Sequence, residues 1–151
     1  MLGWAKTLAG ALSVAALCAA PSLAEDINHI SLSGEAIEGY DPVAYFTGGV
    51  PQAGARAFLY EWKGAVWRFA SAKDRDLFKE NPERYGPAFG GYCAYAMSKG
   101  VKADIHPYAF AILAGRLYLF ATFESRDRFL ANSEIRRGAE ENWAQLSEKI
   151  F

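Results

Sequence analysis

The chain reads as an α+β domain in which two β-hairpins and several short helices share one core. Three observations predict this. "RAFLYEWKGAVWRFAS" alternates large apolar and polar residues on either side of Lys63-Gly64. "YAFAILAGRLYLFAT" does the same about Ala114-Gly115-Arg116. Helix-start signals, a small polar residue before a proline or a charged run, lie before, between and after them. Hairpins with helices packed on them form an antiparallel sheet with a helical layer.

The elements follow in order. "EDINHISLSGEAIE" is polar and extended, a lead-in over residues 25–37. "YDPVAYFTGG" predicts a short helix, with Asp41 as its cap, Pro42 at the first helical position and Gly48 at its end. The first hairpin turns Phe58, Tyr60 and Trp62 to one face; across the turn, Val66 and Arg68 alternate with Trp67 and Phe69. Glu61 is expected opposite Arg68. Ser71 caps a helix "AKDRDLFKE" with Phe78 facing inward, and Asn81-Pro82 repeats the cap-plus-proline signal. In "PAFGGYCAYAMSKG" a turn at Gly90-Gly91 leads into a short helix that carries Cys93 in its first turn. After the second hairpin, Ser125 opens a helical tail in which Phe129, Leu130, Ile135, Ala139, Trp143 and Leu146 fall near helical spacing. No repeat or low-complexity linker divides residues 38–151, which are read as one domain.

Residues 1–24 stand apart. Lys6 is followed by the apolar "TLAGALSVAALCAA", then Pro21 and the small-residue site "SLA". This is the pattern of a secretory signal peptide cleaved before Glu25, and the apolar run is shorter than the roughly 20 residues of a spanning helix. Cleavage leaves 127 residues with Cys93 as the one cysteine, because Cys18 departs with the leader. The expected location is periplasmic or secreted, without an internal disulfide. Formal net charge is -1 and no long run of either sign occurs. Composition therefore predicts neither nucleic-acid binding nor a polybasic membrane contact.

"EGYDPVAYF", "GAVWRFASAKDRDLFKENPERYGPAFGGYCAYA", "GRLYLF" and "ENWAQL" together resemble the long, exported YHS-domain proteins of bacteria, over about residues 38–146. The resemblance implies a fold more than an activity. Short YHS modules are metal-binding appendages of copper and heavy-metal transport proteins, with thiols at three places. Here those places hold Ala44, Ala70 and Asp74, so the resemblance does not bring that thiolate set with it. It also implies an acidic residue where this chain has His106.

The residues leave three functional readings. In the first, the chain binds a transition metal, copper first, through Cys93, His106 and His29, with Asp104 orienting the His106 ring. In the second, the aromatic residues, above all Tyr85, Tyr92 and Tyr95, line a pocket for a small organic ligand or a protein partner. In the third, Cys93 and His106 form a nucleophilic pair. Against each stands a bland alternative: a small buried thiol, a loop histidine, tyrosines that simply fill a core. No serine elbow, phosphate loop or HExxH motif is present. The preferred reading is an exported binding protein, its metal or ligand and its oligomeric state left open by the sequence.

Overall fold

The computed structural model describes residue 27 and residues 34–148. Within them the helical and extended segments run α1 (Ala44–Thr47), β1 (Ala55–Trp62), β2 (Ala65–Phe69), α2 (Ala72–Glu80), α3 (Pro82–Tyr85), α4 (Ala94–Met97), β3 (Phe110–Leu113), β4 (Arg116–Leu119), α5 (Phe123–Ala131) and α6 (Ser133–Glu148). Short 3-10 turns cover Ile37–Gly39 and Ala88–Gly91. The class is α+β, as expected. Residues 1–24, read above as a leader, and His29 lie outside the described residues.

Both hairpins form where the sequence places them. Tyr60 pairs with Trp67 and Trp62 with Ala65 in the first; Ile112 pairs with Leu117 and Leu113 with Arg116 in the second. Their two-residue turns, Lys63-Gly64 and Ala114-Gly115, hold positive φ at both positions, the backbone that matches strand twist. Arg116 belongs to β4, so the second turn is one residue shorter than expected.

The hairpins do not join into one sheet. Each stands as its own two-stranded antiparallel sheet, which corrects the single sheet expected from sequence. The edge of β2 away from β1 is taken by the lead-in, where Ala36 N–H donates to Val66 O at 2.8 Å and Val66 N–H to Gly34 O at 2.9 Å. The boundary expected at residue 38 thus falls inside the packed unit: Ile27, Ala36 and Ile37 are core residues. Arg68 pairs with Glu35 of this segment at 2.8 Å. Glu61 lies opposite Val66 instead, because the two-residue turn sets Trp62 opposite Ala65 and the register runs unbroken from there to Leu59 and Arg68; a bulge follows between Leu59 and Ala55.

The helix caps explain the remaining boundaries. The Ser71 hydroxyl accepts from Asp74 N–H, and the Asn81 side chain accepts from Arg84 N–H. At the tail the cap is Thr122, whose hydroxyl accepts from Ser125 N–H at 3.0 Å; Ser125 is the third helical residue. The tail is two helices. Asn132 breaks it and caps the second, its side-chain oxygen accepting from Glu134 N–H at 2.8 Å.

An aromatic core holds the domain. Phe78 of α2 is fully buried, with Trp67 and Phe69 each at 5.2 Å and Trp62 at 5.4 Å between ring centroids. A second centre has Phe129 of α5 packed between Tyr118 and Phe120, at 5.3 and 5.2 Å. Ala139 seats α6, and Asn142 donates to Met97 O at 2.9 Å.

Asp41 is the one fully buried charged side chain among the described residues. Its Oδ1 accepts from Val43 N–H at 2.8 Å and Ala44 N–H at 3.3 Å, and its Oδ2 from Ala70 N–H at 2.8 Å. Helix α1 starts later than expected: Val43 is its cap position and Pro42 lies in the turn ahead of it, so Asp41 closes that turn and fastens the end of β2 to it. Burial raises its pKa to about 6, against the lowering effect of those N–H groups.

Candidate functional site

Cys93 precedes α4 and is fully buried. Its backbone N–H donates to Ala103 O at 2.9 Å. The three-residue run Phe89-Gly90-Gly91 before it has positive φ throughout, so the double-glycine turn exists and folds the thiol inward. In that setting the side chain packs as a small apolar group.

His106 is exposed. Its backbone is tied to the second hairpin, donating to Phe120 O at 2.8 Å. Its ring lies 6.0 Å from both Tyr108 and Phe123. Nδ1 accepts from Tyr108 N–H at 3.3 Å, which leaves the proton of a neutral ring on Nε2. Ligation through Nε2 would break that arrangement. Asp104 is exposed beside it, and Glu38 shares this surface: its pKa is raised by burial first and by Asp104 second, while His106 lowers it. The thiol and the imidazole therefore face different environments, one sealed and one wet. Among the described residues no group of three or more His, Cys, Asp or Glu is placed to hold a metal ion.

The three tyrosines singled out by sequence are half-buried. Tyr85 stands edge-on to Phe46 at 5.5 Å. Tyr92 has the Lys102 ammonium over its ring at 5.6 Å, and burial raises its hydroxyl's pKa. Tyr95 has Lys99 at 5.8 Å.

None of these tyrosines lines a cleft that the described residues form at the first hairpin. This cleft has a volume of about 110 Å³ and lies between the first hairpin turn, the segment after α3, and the α6 face. Trp62, Phe89 and Trp143 form its walls, with Gly86, Pro87 and Gly90 supplying backbone and Ile27 closing one side. Phe89 and Trp143 sit 6.2 Å apart, near edge-to-face. Gly86 makes the close fit to Trp62 possible: a Cβ there would meet the indole at 3.1 Å.

Three charged side chains also line the cleft: Lys63, Arg116 and Glu83. The Lys63 ammonium lies 4.3 Å from the Trp62 ring centroid and 2.9 Å from the Glu83 carboxylate. The Arg116 guanidinium lies 5.4 Å over Phe89 and pairs with Glu140 of α6 at 2.9 Å. The walls thus carry aromatic rings, with two cations held against aromatic faces and the Glu83 carboxylate beside one of them. Sequence reasoning passed over Trp143 as a tail residue and over Arg116 and Lys63 as turn residues. Only the three-dimensional meeting of residues 62–63, 83–90, 116 and 143 makes them a site.

No protein-family model, curated protein or solved structure matches this chain.

Proposed function

We propose that this chain is an exported binding module, with a YHS-like fold, that takes a small organic ligand in the Trp62–Phe89–Trp143 cleft. The observation that carries this reading is the cleft itself: aromatic walls, with polar groups converging from three separate parts of the chain. Small-ligand sites are concave, with a few converging polar groups; this cleft is small and its accessible lining more polar than apolar. The geometry favours this reading over a copper site, since the soft ligand Cys93 is enclosed while His106 is exposed. The same contrast ranks a Cys93–His106 thiol enzyme lower still, because a nucleophile must meet its substrate.

Thermal unfolding tests the proposal, on protein exported and processed in its host. Wild type and Trp143→Ala are screened against small polar organic compounds and Cu(I). Compounds that raise the Tm of wild type but not of Trp143→Ala support the cleft. A rise with Cu(I) that Cys93→Ser abolishes, with no organic hit, overturns it in favour of the metal.

A further inference from the structure

We propose that the cleft selects small carboxylates, with Lys63 and Arg116 as the paired cationic contacts; this rests on the binding reading above. Lys63, Arg116 and Glu83 line the cleft, and Glu140, which pairs with Arg116, brings the carboxylates to two against two cations. The cations arrive from different elements, Lys63 from the first hairpin turn and Arg116 from the start of β4, so an anion between them is recognised by fold and not by one flexible segment.

Both cations already have carboxylate partners, and those partners are replaceable. Glu83 leaves 72% of its side chain exposed while Lys63 leaves 23%. The ammonium is therefore drawn inward over Trp62, and the carboxylate stays at the wet rim. Arg116 and Glu140 are 44% and 49% exposed. Solvated pairs of this kind contribute little to stability, so exchanging Glu83 for a ligand carboxylate costs little. A ligand carboxylate deeper in the cleft is less hydrated, and its charge-assisted bonds are stronger there. The protein side chains thus model the group the ligand brings.

Size narrows the class. An apolar cavity of about 150 Å³ admits benzene, and this cleft holds about 110 Å³. A short aliphatic acid fits, its methylene groups against Trp62 and Trp143 and its carboxylate toward the cations.

Propionate and propionamide separate charge from shape, because they differ in the head group alone. Ligand-observed NMR titrations of both are run on wild type, Lys63→Met, Arg116→Met and Trp143→Ala. The expected result is propionate binding at least about tenfold tighter than propionamide, or ~1.4 kcal/mol. Either methionine variant should erase most of that preference, while Trp143→Ala weakens both compounds. Equal affinity of the two, both lost in Trp143→Ala, would overturn the carboxylate claim and leave the cleft reading standing. Binding of neither, or binding that no variant alters, would overturn both. Tm values of the variants near that of wild type show that lost binding is not lost folding.

Discussion

Replacing Asp41 with asparagine sets two opposed effects against each other. Three backbone N–H groups point at the carboxylate, which favours its charged form; complete burial favours the neutral form. Burial wins, and the folded-state pKa rises from 3.8 to about 6. Between those values the folded chain holds a proton that the unfolded chain has lost. Stability from this group is then fully present below about pH 4 and declines as pH rises through 6. A displacement of about two units corresponds to on the order of 3 kcal/mol. Asparagine cannot titrate, and it keeps an acceptor for Val43 while turning an amide N–H toward Ala70. That mismatch costs about 1–3 kcal/mol at low pH. Urea unfolding of both proteins from pH 4 to pH 7.5 gives the difference profile, which reports Asp41 together with the Asp74 charge that helps to raise its pKa. The wild-type advantage should be largest near pH 4 and shrink by about 3 kcal/mol by pH 7.5, enough to vanish or reverse. A flat profile, or an advantage that grows with pH, would refute the reasoning: the N–H groups would then outweigh burial.

Three other predictions concern packing. Phe78→Ala empties the place where Trp62, Trp67 and Phe69 meet and should cost about 3–5 kcal/mol in urea unfolding. Gly54→Ala should be severely destabilising, by about 3 kcal/mol or more, since a Cβ would stand 2.6 Å from the Arg68 carbonyl carbon and 2.7 Å from the Phe69 nitrogen; a near-normal Tm would contradict the close approach of the two strands. Cys93 should react with a thiol reagent at the rate of unfolding, because its side chain is fully buried; rapid labelling of the folded protein at neutral pH would return it to the list of functional residues.

The parts of the fold legible in the sequence are those set by neighbours in the chain. Lys63-Gly64 and Ala114-Gly115 announce their hairpins because their backbone conformation is a property of two residues. Ser71 and Asn81 announce α2 and α3 because a cap reaches only three residues ahead. The same rule misplaced the tail by one cap: both Thr122 and Ser125 carry hydroxyls, and pattern alone does not say which one accepts. What stayed hidden depends on distant pairing. Nothing in "SLSGEAIE" says that Ala36 will bind Val66 and cover the edge of β2. The site was hidden for the same reason. Cys93 and His106 stand out by rarity, yet the fold gives one to the core and the other to water. The cleft is built instead from common residue types, joined across 82 positions from Trp62 to Phe89 to Trp143.

The most direct test of the account is the indole NMR signals of the folded protein as a small carboxylate is added. Trp62 and Trp143 line the cleft, whereas Trp67 is fully buried with its N–H donated to Trp62 O at 3.1 Å. The account predicts saturable shifts of the Trp62 and Trp143 indole signals, with Trp67 moving far less and the signals of Cys93 and His106 unchanged. Shifts centred on Cys93 and His106, or none at Trp62 and Trp143 at any concentration, would contradict it.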